Sequence, residues 1–86
     1  MELKDTIQMM MSEDYKERFK AEYWQTKIRY EKLKAFNTKI RAAEMSTNVQ
    51  MPKHDCPCYL LSEQQSQMWH YLHTLEVRAI IEGIEL

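Results

Sequence analysis

A chain of 86 residues with one Gly, two Pro and 29% charged side chains fits one small domain, and its scarce turn punctuation excludes a multi-stranded fold. A formal charge of −1 excludes a protein that coats DNA or an acidic tail, and no apolar run approaches the length of a membrane span. The start "MELKDTIQMMMSEDYK" lacks the apolar stretch of a secretion signal; with two cysteines, the expected location is a reducing cytoplasm.

Leu3, Ile7, Met10 and Met11 recur at helical spacing and predict a short amphipathic helix over 2–11. Met9, Met10 and Met11 give it a pliable apolar end, suited to core filling or to the lip of a binding surface. Ser12 is the expected N-cap of the next helix, with Glu13 and Asp14 in a first turn whose dipole favours negative charge. That helix is predicted over 13–45, since no Gly or Pro interrupts before Pro52. Tyr15, Phe19, Tyr23, Thr26, Tyr30, Leu33 and Ile40 fall on one stripe of it; Ala21, Trp24, Ile28, Ala35 and Ala42 fall on a second. Arg18 with Glu22 and Lys27 with Glu31 are expected i,i+4 ion pairs on the exposed strip between.

The polar segment "STNVQMPKHDCP", residues 46–57, is the connector, and Pro57 suits the first turn of a third helix over 58–82. Leu60, Leu61, Gln64, Met68, Tyr71, Leu72, Leu75 and Ala79 make a broad stripe there; Trp69, His73, Ile80 and Ile84 make another. Gly83 suits the left-handed position that ends a helix, with Ile84 supplying the hydrophobic contact behind it. The expected fold is all-α in a single domain, 1–86: a short N-terminal helix followed by a long antiparallel helical hairpin. A hairpin this small is marginal alone, and each long helix keeps a surplus apolar stripe, so assembly as a homo-oligomer is expected.

Charge is unevenly spread along these elements. Residues 15–43 hold nine Lys and Arg against three Glu, whereas residues 1–14 and 59–86 are each acidic by three. Either the first long helix meets an anionic ligand or the segments attract one another. The stretch "HDCPC", with His70 and His73, invites a zinc reading. Cys56 and Cys58 are too close for the usual two-residue knuckle, and His70 would lie about 18 Å along a helix from Cys58. No metal or other cofactor is expected. Nor is an enzyme: there is no phosphate-binding glycine loop, nucleophile elbow or HExxH. His70, His73 and Glu76 share neighbouring turns of one helix, which seldom enclose a catalytic cleft.

What remains is "DYKERFKAEYWQTKIRYEKLKAF", Asp14–Phe36, where aromatic rings alternate with basic groups. Rings stack on bases while Lys and Arg meet phosphate. The expected ligand contacts are stacking by Tyr15 or Trp24 and phosphate contacts from Lys16, Lys20 and Lys27. The bland alternative is that Tyr15, Phe19, Tyr23 and Tyr30 are simply core. The basic residues encircle the helix and match no DNA-binding motif, so a nucleic-acid polymer is not expected, whereas a small anionic ligand held between protomers is.

The run "SEDYKERFKAEYWQTKIRYEKLKAF", the step "CP" at Cys56–Pro57 and the close "LLSEQQSQMWHYLHTLEVRAIIEGIEL" resemble a family of short phage-encoded proteins related to crAss-like phage open reading frames. This resemblance covers nearly the whole chain. In layout and size, though not in an alignable motif, the chain is similar to the phage anti-CBASS cyclic-nucleotide sponges. Those are oligomeric helical hairpins that sequester a second messenger of bacterial immunity. The resemblances imply a phage anti-defence protein in the cytoplasm of an infected bacterial host cell, sequestering a cyclic di- or trinucleotide without cleaving it. Two alternatives are a protein-binding, anti-CRISPR-like inhibitor of a host nuclease complex and a structural accessory subunit with no ligand.

Overall fold

The computed structural model describes residues 1–86, and its regular elements are all helical. A 3-10 turn, Leu3–Thr6, runs directly into α1, Ile7–Met10; α2 spans Tyr15–Met45 and α3 spans Cys58–Glu82. No helix is long and apolar enough to cross a membrane.

The opening turn is tightened by side chains. Asp5 Oδ2 accepts from the Glu2 N–H at 2.8 Å, and the Thr6 hydroxyl donates to the Leu3 carbonyl at 2.7 Å. Helix α2 begins later than Ser12 would have started it. Asp14 is the N-cap, its Oδ1 accepting from the Lys16 N–H at 3.0 Å, and Ser12 stands behind it, accepting from the Asp14 N–H at 3.1 Å. A carboxylate gains both the hydrogen bond and the favourable end of the dipole, so it displaces the serine from the cap. Pro57 likewise lies one residue outside α3, in extended conformation (φ −58°, ψ 141°), with its carbonyl accepting from the N–H groups of Leu60 and Leu61. At the far end Gly83 adopts φ +69°, where a side chain would be strained. The Ile84 N–H then bonds to the Ala79 carbonyl at 2.8 Å, and Ile84 is drawn into the core.

That core is a single seam between the hairpin arms: Phe19, Tyr23 and Tyr30 from α2 against Leu72, Leu75 and Ala79 from α3, closed by Ile84. Trp24 and Met68 pack on its edge. Toward the connector, where Ile40 is also buried, polar contacts join the arms. Asn37 Nδ2 donates to the Leu61 carbonyl at 3.2 Å and to Gln65 Oε1 at 2.8 Å, and His54 of the connector meets the Phe36 ring edge-on.

The stripes divide in an instructive way. Tyr15, Leu60 and Tyr71 lie on predicted core stripes but are exposed, because the arms pack along a narrower line than those stripes cover. On the second stripe of α2, Ala21 is fully buried and the N-terminal segment docks alongside it: Gln25 Nε2 donates to Thr6 Oγ1 at 3.0 Å and reaches Met10 Sδ at 3.5 Å. The second stripe of α3 splits: Ile84, past the helix end, is buried in the core, whereas Trp69, His73 and Ile80 are exposed, as are Val77 and Ile81 beside them, the two isoleucines Ile80 and Ile81 at 84% and 77%. Of the two expected i,i+4 pairs, Lys27–Glu31 forms at 3.2 Å. Arg18–Glu22 does not, because each partner is engaged elsewhere: Arg18 Nη1 donates to the Ser12 carbonyl, and Glu22 accepts from the Tyr71 hydroxyl.

Candidate functional site

Residues 15, 18, 22, 25 and 29 of α2 are separated by three, four, three and four positions, so they line one strip of its surface. Tyr71 and Arg78 are seven apart on α3, two full turns, and share the facing strip. With Met10 from α1 they enclose a cleft of about 570 Å³, within the size range of small-ligand sites.

Three guanidinium groups line this cleft: Arg18, Arg29 and Arg78. Arg18 is steered by its bond to the Ser12 carbonyl at 2.8 Å, which ties it to the turn before α2. Arg78 is fixed by its Nε bond to Glu82 Oε2 at 2.8 Å and by the Phe19 ring 4.8 Å from its guanidinium carbon. Arg29 is exposed and has no hydrogen bond or ion pair. Glu22 is the one acidic residue lining the cleft, and its Oε1 accepts from the Tyr71 hydroxyl. That bond, with added burial, pushes the Tyr71 phenol up to about 12. The Tyr15 phenol is raised as well, by desolvation and by nearby Glu82, whose own carboxyl is held low chiefly by its hydrogen bond to Arg78. At neutral pH both rings are therefore uncharged: planar surfaces beside a set of cations, with the Tyr71 hydroxyl donated to Glu22. That combination binds anions and stacks on flat rings.

The residues singled out in the sequence are divided by the hairpin. Tyr15 lines the cleft; Lys16 does not, though it is close enough for its charge to help hold Glu82 down. Lys20, Trp24 and Lys27 do not join them. Trp24 is two residues beyond Glu22, about 200° around the helix, and so faces the other flank. There Lys20 pairs with Glu17 at 3.1 Å, Lys27 pairs with Glu31 and sits 5.8 Å from the Tyr30 ring, and Trp24 meets Tyr23 edge-on at 5.3 Å. A second cleft of about 390 Å³ on that flank lies between Tyr30, Gln65 and Trp69, the last stacked on His73. The signal for the first cleft was the 18–22–25–29 spacing, disguised because Arg18 and Glu22 look like partners for one another. Tyr71 and Arg78 could be added only by knowing the register of the two arms. His54 turns its Nδ1 to the Pro52 carbonyl at 2.8 Å, while Cys56 and Cys58 are exposed free thiols.

Among known proteins, the family model described as Sequestin matches residues 13–81, which takes in the turn before α2, both long helices except the last residue of α3, and the connector. No curated protein and no solved structure matches the chain. The matched span is most of the chain and contains both walls of the principal cleft, so the protein belongs to the Sequestin family.

Proposed function

We propose that this protein sequesters a cyclic di- or trinucleotide immune messenger without cleaving it, acting as a phage anti-defence protein in an infected bacterial cell. The family's name points to sequestration of a ligand. The observation that carries the nucleotide reading is the cleft itself, where Arg18, Arg29 and Arg78 stand beside the rings of Tyr15 and Tyr71. Guanidinium groups take phosphate oxygens in pairs, and aromatic rings take the base face whatever its identity. Tyr15 is a stacking ring in this reading, and Lys16, next to it in the chain, adds positive charge nearby. Lys20, Trp24 and Lys27 enter a site only from a neighbouring copy in a homo-oligomer, because within one chain they lie on the far flank.

A thermal-shift panel of cyclic di- and trinucleotides tests the reading, followed by denaturation and recovery of the ligand. Stabilisation by at least one member and recovery of that member intact are expected. No shift across the panel removes the nucleotide reading, and a degraded ligand replaces sequestration with catalysis. Arg29→Ala deletes the one cleft guanidinium with no tie inside the protein; affinity should fall about tenfold or more in a calorimetric titration, with the melting temperature of the free protein unchanged. A second reading, an inhibitor docking on a host nuclease complex, draws on exposed Ile80 and Ile81 and predicts co-purification with one defined host protein.

A further inference from the structure

The smaller cleft beside Tyr30 lacks the chemistry of an anion site. Its lining, Tyr30, Ser62, Gln65, Ser66 and Trp69, carries no formal charge, and the nearby Lys27 is paired with Glu31. Its shape points elsewhere. Ser62, Gln65, Ser66 and Trp69 stand at positions i, i+3, i+4 and i+7 of α3, the four corners of the hole that receives one side chain when helices pack knobs into holes. The two serines are short and leave the hole open. The other two corners are fixed: Gln65 Oε1 accepts from Asn37 Nδ2 at 2.8 Å, and Trp69 stacks on His73 with ring centroids 5.7 Å apart. A matching knob lies on the same helix. Ile80, at 84%, is the most exposed of the large apolar side chains.

Ser66, His73 and Ile80 are seven residues apart, so they fall nearly in line with about two turns between each. Trp69 and Val77 flank that line, four residues to either side of His73. The strip is therefore symmetric about His73, with a hole toward one end and a knob toward the other. It also carries no formal charge: residues 64–75 include no Asp, Glu, Lys or Arg, and Glu76 at the margin accepts from the Tyr23 hydroxyl. Two copies meeting on it face no like-charge penalty.

We propose that a second copy of this chain docks on this strip, α3 against α3 and antiparallel, each Ile80 seated in the hole between Ser62 and Trp69 of the other, with His73 at the two-fold axis. In that register Trp69 stands level with Val77 of the second copy, a large side chain beside a smaller one, and both holes fill together. The contact is self-complementary and closes at two copies.

Disulfide trapping reads the register in the full chain, with its own exposed thiols removed by Cys56→Ser and Cys58→Ser. Helices packed about 8–10 Å apart leave about 5 Å between facing Cα atoms, which a disulfide can bridge. His73→Cys should therefore cross-link to a dimer under copper–phenanthroline in air. Ile80→Cys alone should stay uncross-linked, because its copy lies about 21 Å along the seam, and adding Ser66→Cys should restore cross-linking. Ser66→Trp supplies an independent reading, since it plugs the hole from an exposed position without adding charge. It should weaken self-association about tenfold or more in sedimentation equilibrium, with helix content unchanged. A single-chain mass for the unsubstituted protein, no cross-link through His73→Cys, or undiminished association of Ser66→Trp overturns the proposal. Cross-linking of Ile80→Cys alone overturns it in favour of a parallel pair.

Discussion

Glu22 and Tyr23 are neighbours on α2, and each is joined to α3 by a tyrosine–carboxylate hydrogen bond of opposite sense. Glu22 accepts from Tyr71 on the cleft flank; Tyr23 donates to Glu76 Oε2 at 2.7 Å on the other. The second bond is the structural one, since Tyr23 is buried and its ring belongs to the core. Tyr23→Phe keeps the ring and removes only the donor to a charged, half-buried acceptor. The expected cost is about 1–2 kcal/mol, read as a lower urea midpoint with an unchanged slope. Burial and the nearby Glu76 and Glu31 carboxylates push the Tyr23 phenol up to about 12, and Tyr71 reaches a similar value through Glu22. Because the folded values exceed the ordinary value of 10.0, the fold favours the neutral phenols. Their contribution is whole below about pH 10 and is lost as pH rises toward 12. Melting temperature followed against pH should therefore fall steeply in that window, and the fall should be shallower in Tyr23→Phe.

The N-terminal segment is the element whose role the sequence understated. Periodicity shows that residues near 2–11 are helical and apolar on one side, but not that Thr6 is the residue around which they dock. Thr6 has 0% exposure, its hydroxyl donating to Leu3 and accepting from Gln25 on α2. Thr6→Val fills the same space while stranding the Leu3 carbonyl and the Gln25 amide. It should cost about 1–3 kcal/mol and raise amide hydrogen exchange in residues 3–10 before the rest of the chain. Since Met10 forms one edge of the cleft, ligand affinity should fall with it. The two long helices were plainer in the sequence, because each bears an uninterrupted period and α3 has a recognisable end at Gly83, although the cap of α2 is Asp14 and not the expected Ser12. The site was plain only where it lay on one helix. Tyr15 could be singled out from α2 alone, but Tyr71 and Arg78 depend on how two helices 12 connector residues apart align, which periodicity leaves open. Grouping Lys20, Trp24 and Lys27 with Tyr15 followed chain proximity, and the 100° turn per residue takes them to the opposite flank.

The whole molecule is long and thin, 50 × 25 × 19 Å, with a radius of gyration of 15.9 Å where a compact chain of this length would have about 12 Å. Only ten of its residues are buried, so one copy has little interior beyond the hairpin seam. The uncovered apolar surface is concentrated on α3, where Trp69, Val77 and Ile80 follow steps of eight and three along one side and Ile81 stands next to them. Trp69 and Tyr71 are two residues apart and so about 200° apart around α3, which puts this stripe on the side away from the arginine cleft. A second copy seated on the stripe would thicken the core without closing the cleft, and that geometry separates assembly from ligand capture. Ile80→Glu adds a charge at a position 84% exposed, so it should leave the fold of a single chain intact while breaking the proposed contact. By light scattering, the wild-type mass should be a multiple of 10.5 kDa and the variant's should approach that single value. Titration should still give the same number of nucleotides per chain, because the cleft's walls come from one copy. A variant that dissociates and also stops binding would mean that the ligand lies between copies, and Lys20, Trp24 and Lys27 would then be the residues to substitute next.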